Sequence, residues 1–268
     1  MKRDLLGTRV PFPQFPRKHR EGPLFTATEF WRYAARREGR PLPRCPRSVV
    51  LVYGRSWRTY LPRRYGRPIL AGYGLYPVSR EVGVSCVTGA GAPNSALYVE
   101  ELAAAGARRF VIVGMAGSLQ RALRVGSMVV CTKALRDEGT SHHYARSGAF
   151  AYPTPQLVSA LGRTLERHHV SHVDGSSWTT DALYRETVAE VRRYRKRGIL
   201  TVEMEAAAVF AVARSLGCES AALFVISDHL HEQGWEPLFH DSRRELRRAL
   251  SLAAEAVSRR PGRAGIPR

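Results

Sequence analysis

The chain has 268 residues, 44% of them hydrophobic and 24% charged, enough for one core of the larger single-domain kind. It has no run of 18 apolar residues that could cross a membrane as a helix, and its first twenty residues lack the apolar stretch of a secretory signal. Lys and Arg total 42 against 23 Asp and Glu, a formal charge of +19 that draws anions of any kind. Those basic residues are spread along the chain beside no zinc-finger or RNA-binding signature, so nucleic acid is not the expected partner.

In chain order, residues 1–44 are rich in Pro, Arg and Lys and read as an arm, with a short helix at "TATEFWRYAARREG" (26–39). "SVVLVYG" (48–54) reads as a buried strand ending in Gly, and "VGVSCVTGAG" (82–91) as another running into a glycine turn. "SALYVEELAAAG" (95–106) has helical apolar spacing and a Gly stop. "RRFVIVGMAGS" (108–118) and "GSMVVCTKAL" (126–135) are strands, and "TPQLVSALGRTLERHH" (154–169) is a helix with Pro near its start. Loops are expected over 139–155 and 175–187, and solvated helix faces at 192–198 and 243–248. "EAAAVFAVARSLG" (205–217) is a helix, "SAALFVISD" (220–228) a strand ending in an acid, and 241–260 an amphipathic closing helix. Residues 261–268 read as a tail.

Continuous apolar strands alternating with helices imply a sheet covered on both faces. The expectation is a single α/β domain over 45–260, with a twisted, mostly parallel but mixed central sheet. Ligands of such sheets sit beyond the carboxyl ends of the strands. Every notable cluster lies there: Gly54 to Arg58, Thr88 to Gly91, Gly114 to Gly117, and Ser227-Asp228. The four cysteines, Cys45, Cys86, Cys131 and Cys218, are too far apart for a CxxC metal site, and a reducing cytoplasm fits them.

Each cluster has an ordinary reading beside the functional one. "TGAGAPNS" (88–95) lets backbone amides approach an anion, or simply makes a tight strand–helix turn. Arg58, four residues after Gly54, is a fork for an oxyanion or a surface cation. Asp228 follows six apolar residues, so it is a partly buried acid suited to proton transfer, or the N-cap of what comes next. In "VEMEAAA" (202–208), Glu203 and Glu205 either favour a helix start or hold a ligand.

Four stretches in order, "TGAGAPNSALYVEELAAAGARRFVIVGMAGSL", "VGSMVVCTKALRDEGTSHHY", "GILTVEMEAAAVFAVARSLG" and "LFVISDHL", resemble the nucleoside phosphorylase superfamily over residues 48–258. The resemblance implies that Glu205, with Glu203 nearby, holds the ribose hydroxyls, and that Met204 packs beneath the sugar. It makes Asp228 the residue that protonates a purine N7. Gly54 and Arg58, with Thr88, Gly89 and Gly91, would hold phosphate as co-substrate, with no metal or other cofactor. Trp178, Thr180, Leu183 and Ser227 would line the base pocket. Arg67 would reach a neighbouring subunit's site in a homo-oligomer, anywhere from dimer to hexamer.

Two departures from that pattern matter. Ile112 stands where phosphorylases carry an arginine, and Met115 where they carry Ser or Thr. Three functions are therefore weighed: a phosphorylase of nucleosides, purine first and uridine second; a hydrolytic nucleosidase using water; and a non-catalytic scaffold holding nucleotide or nucleic acid.

Overall fold

The computed structural model describes residues 13, 15, 17–39 and 41–258; the start of the expected arm and the tail at 261–268 lie outside the described residues. The strands are β1 (Ser48–Tyr53), β2 (Leu75–Pro77), β3 (Val82–Val87), β4 (Arg109–Ser118), β5 (Met128–Asp137), β6 (Phe150–Ala151), β7 (His172–Thr180), β8 (Ile199–Glu203), β9 (Glu219–His231) and β10 (Gly234–Pro237). The helices are α1 (Ala27–Glu38), α2 (Arg55–Tyr65), α3 (Ala92–Ala104), α4 (Ser141–Tyr144), α5 (Pro155–Arg167), α6 (Val188–Lys196), α7 (Ala206–Ser215) and α8 (Arg243–Ser258).

All ten strands join one mixed sheet. β4 is its hub, running parallel to β1 and β9 and antiparallel to β8. From β9 the pairing passes antiparallel to β5, then parallel to β7 and β8, and so returns to β4. These five strands close on themselves, which removes edges that would otherwise be open. β1, β3 and β2 extend from β4 as an open wing. The α/β architecture is as expected; its partial closure is not readable from the order of elements.

Two apolar layers flank the sheet. On one side α3 and α7 bury Val99, Leu102, Val209 and Phe210 against Leu51, Phe110, Ile112 and Phe224. On the other, α2, α5 and α8 bury Trp57, Leu61, Leu161 and Leu250 against Val50, Val111 and Leu223. The strands read as continuous apolar runs because their successive side chains enter opposite layers. α7 is apolar from Ala206 to Ala213, all of them buried, and turns polar at Arg214 and Ser215.

The arm's helix is real and anchored. Thr26 and Glu29 form a reciprocal cap at the start of α1, and Trp31 Nε1 donates to the Glu101 carbonyl of α3 at 2.9 Å. Elsewhere the pattern misled. Residues 175–187, expected as a loop, begin as strand, since β7 runs to Thr180, and only 181–187 lie outside the sheet. Its "SSWTT" carries no apolar run because Ser177 and Thr179 face a buried carboxylate. β9 continues past the acid at its expected end, so Asp228 is a mid-strand residue and caps no helix.

Candidate active site

β8 delivers its last residue, Glu203, into a buried polar socket. Glu203 Oε1 accepts from Thr179 Oγ1 at 2.6 Å and Ser177 Oγ at 3.1 Å. Its Oε2 accepts from the amides of Glu205 at 2.8 Å and Ala206 at 2.7 Å. Those amides are among the orphan donors at the N-terminus of α7, and Thr179 Oγ1 takes a third from Ala207 at 3.0 Å. Burial raises the Glu203 carboxyl and these four bonds oppose it. Glu203 is thus a fully engaged anchor that fixes the turn after β8.

That turn aims Glu205. Its Oε1 accepts from the Gly91 amide at 2.7 Å, and its Oε2 from the Met204 amide at 3.3 Å. Both oxygens keep unused lone pairs, and burial, followed by the nearby Glu203 charge, pushes the carboxyl up to about 7. The partner amide requires an unusual backbone, since Gly91 has φ 100°, a conformation L side chains rarely adopt. Gly91 therefore serves Glu205 rather than standing free for an anion.

Next to this pair lie Tyr53 and Ser95, which sequence reasoning missed. The hydroxyls of Tyr53 and Ser95 are 3.0 Å apart, and Ser95 Oγ donates to the Gly91 carbonyl at 3.0 Å. Burial and then the Glu205 charge hold the Tyr53 phenol far above its usual range. The only hint in the sequence was Tyr53's place at a strand end just before Gly54.

Gly54, with φ 102°, is the N-cap of α2, and no side chain caps that helix. The first amides of α2 are thus open to an anion, with Arg58 one turn on. Arg58 is exposed, and its positive charge partly offsets the upward shift that burial gives the Cys86 thiol, which sets it beside the end of β3. The Cys86 thiol reaches the Gly54 carbonyl at 3.9 Å, tying the two loops together. Thr88 Oγ1 and its amide both meet the Tyr98 hydroxyl, while Thr88 and Gly89 remain exposed.

Asp228 occupies the second half. Its Oδ1 accepts from Ser227 Oγ at 2.6 Å and its Oδ2 from Trp235 Nε1 at 2.8 Å. In the sheet, Gly117 of β4 pairs with Asp228 on one side and with Val202, the neighbour of Glu203, on the other. The acid and the Glu203–Glu205 turn therefore flank one glycine. Glu186, another residue without a sequence motif, lies within electrostatic reach of Asp228.

Other expected residues are placed elsewhere. Trp178 is only 1% exposed, packed on Tyr194 with its Nε1 donating to Asp137 at 2.9 Å, so it lines the core rather than a cleft. Thr180 is buried and accepts from the Ala182 amide, and Leu183 is half exposed beside the open ring of Tyr184. Arg67 is exposed. Ile112 lies in the apolar layer under α7, and Met115 accepts a weak bond from Ser242. A cavity of about 400 Å³ lies at the ends of β4 and β9, lined by Arg121, Arg195, His229 and His231 among others.

The sequence pattern that defines the Phosphorylase superfamily matches residues 65–259. A guanosine phosphorylase of Halorubrum lacusprofundi is 37% identical over 146 residues, which cover 54% of this chain and 60% of that protein. A uridine phosphorylase of Thermococcus kodakarensis is 27% identical, covering 66% and 63%. The chain thus spans about three-fifths of the length of these curated relatives. Among solved structures, the uridine phosphorylase of Vibrio fischeri ES114 superposes with a TM-score of 0.62 at 25% identity, covering 79% of this chain and 92% of that one. The AMP nucleosidase of Bacteroides thetaiotaomicron VPI-5482 reaches a TM-score of 0.70 at 18% identity, covering 87% and 96%, a likeness of fold.

Proposed function

We propose, since this chain belongs to the phosphorylase superfamily, that it cleaves the N-glycosidic bond of a purine nucleoside with phosphate, releasing free base and pentose 1-phosphate. The observation that carries this reading is Glu205, a buried carboxylate with unused lone pairs, held one strand away from Asp228.

In this reading a phosphate oxygen attacks C1′ while the electrons of the C1′–N9 bond pass to the base, and Asp228 supplies the proton to N7, so the base leaves neutral. Glu205 accepts from the sugar hydroxyls, whose hydrogen bonds strengthen as positive charge develops on the ring. Met204 lies under the sugar, and Glu203 acts only by fixing the Glu205 backbone. The open N-terminus of α2 and Arg58 hold the phosphate. No step needs a metal or an organic cofactor. The reading includes a homo-oligomer in which exposed Arg67 completes a neighbour's site, and a cytoplasmic enzyme of purine salvage.

Hydrolysis is the second reading, favoured by one observation: Ile112 is wholly buried and apolar, so it offers an anion nothing. Base release from guanosine, inosine, adenosine and uridine, with and without phosphate, tests both. Phosphorolysis requires release to depend on phosphate and to yield pentose 1-phosphate. Equal rates in the two buffers exclude it.

A further inference from the structure

Gly91, the N-cap of α3, is clamped through both of its peptides. Its amide donates to Glu205 Oε1 at 2.7 Å. Its carbonyl accepts from the Ser95 amide at 3.1 Å and from Ser95 Oγ at 3.0 Å. A Cβ here would meet only Pro93 Cδ, at 4.0 Å, so no steric wall holds the backbone at its φ of 100°. Hydrogen bonds hold it instead. A helix serine commonly bonds back to the carbonyl one turn earlier. The particular feature is the second partner of Ser95, the Tyr53 hydroxyl at 3.0 Å. Ser95 Oγ carries one hydrogen, and the Gly91 carbonyl can only accept it, so the phenol is the donor in that contact. Ser95 is fully buried, and Tyr53 is the last residue of β1, packed against the apolar layer under α3 and α7.

We propose that Tyr53 is a positioning residue for Glu205. The phenol orients the Ser95 hydroxyl, that hydroxyl holds the Gly91 carbonyl, and the fixed glycine keeps its amide on the carboxylate. The proposal rests on the nucleoside-cleaving reading and adds to it a residue that acts through two others. Without the phenol, Ser95 Oγ keeps a buried acceptor unpaired and its hydroxyl can rotate off the carbonyl. The glycine then loses one of the bonds that set its φ, and Glu205 loses the donor that sets which way its carboxylate faces. The lone pairs left for sugar hydroxyls turn with it. Tyr53 also precedes Gly54, so the strand that carries the α2 turn fixes the sugar's acceptor as well.

The test is Tyr53→Phe, which removes one oxygen and keeps the ring, made in the wild type and in Glu205→Ala. Binding of inosine and of hypoxanthine is measured without phosphate, and thermal unfolding checks that each variant folds. Tyr53→Phe should weaken inosine binding about three- to tenfold, the scale of one neutral hydrogen bond, and leave hypoxanthine unchanged. In the Glu205→Ala background it should have no further effect, because the carboxylate it positions is gone. An equal loss in both backgrounds, or an equal loss for hypoxanthine, overturns the role of Tyr53. A wild type that binds inosine but releases no base, with or without phosphate, overturns the enzymatic reading, while the same cycle still decides on Tyr53. If no nucleoside binds, the ligand-free Glu205 carboxyl decides, followed by carbon NMR. The titratable groups facing it are Glu203 of β8 and Tyr53 of β1, with Tyr98 of α3 against Tyr53. A loosened Gly91 amide favours the protonated acid, so Tyr53→Phe should move that titration upward. A titration that stays in place overturns the role.

Discussion

Replacing Gly117 by alanine probes the joint on which both halves of the site depend. A Cβ at this position would stand 3.1 Å from Asp228 Oδ2 and 3.1 Å from Val202 Cγ1, and closer still to Leu230 Cδ1. Comfortable contact begins near about 3.5 Å, so the first two neighbours must each yield about half an ångström. Leu230 can rotate away, but Val202 is buried in a packed cluster with Trp178 and Ile199. Overpacking of this kind costs about 1–3 kcal/mol. In a chain of this size that lowers Tm by about 2–4 °C for each kcal/mol. The larger effect falls on Asp228, whose Oδ2 is drawn off its 2.8 Å bond from Trp235. Misplacing a reacting group by about 1 Å costs on the order of a hundredfold in rate. Gly117→Ala should therefore melt cooperatively, a few degrees low, and the displacement of about half an ångström should bring kcat for base release down about tenfold. A variant that keeps the wild-type kcat would refute the placement of Asp228 at the chemistry.

Two more outcomes follow from the buried carboxylates. Thr179→Val keeps shape but removes the hydroxyl that donates to Glu203 and accepts from the Ala207 amide, leaving a buried N–H unpaired. It should cost about 3 kcal/mol, read as a lower urea midpoint at unchanged m-value. Glu205 binds its proton up to about 7 in the folded protein against an ordinary value of 4.5, so the stability this provides is whole below 4.5 and lost as pH rises through about 7. Without ligand, the wild type should lose Tm across that window more than Glu205→Gln does; parallel curves would contradict the burial of that acid.

Much of this fold is written in local pattern. β1, β3, β4 and β9 announce themselves as apolar runs, and α5 and α8 as amphipathic periods, because each has one layer or two to fill. β7 is hidden, since its inward residues are the hydroxyls that satisfy Glu203 and so break the apolar signal. The closure of β4, β9, β5, β7 and β8 is equally hidden, because it depends on pairings between distant segments that no window contains. At the site, Glu203, Glu205 and Asp228 stood out as acids beside apolar runs. What their spacing could not give was the division of labour: Glu203 spends all its capacity on α7, whereas Glu205 keeps some in reserve. Tyr53, Glu186 and Trp235 had no motif, for each enters by a neighbour's position rather than its own.

The most direct trial of the whole account is a crystal structure of the protein soaked with a purine nucleoside and phosphate. Sugar hydroxyls should lie on Glu205, the base against Asp228, and the anion at the start of α2 against Arg58. A nucleoside lodged instead in the cavity beside Arg121 and Arg195, with the carboxylates untouched, would contradict it.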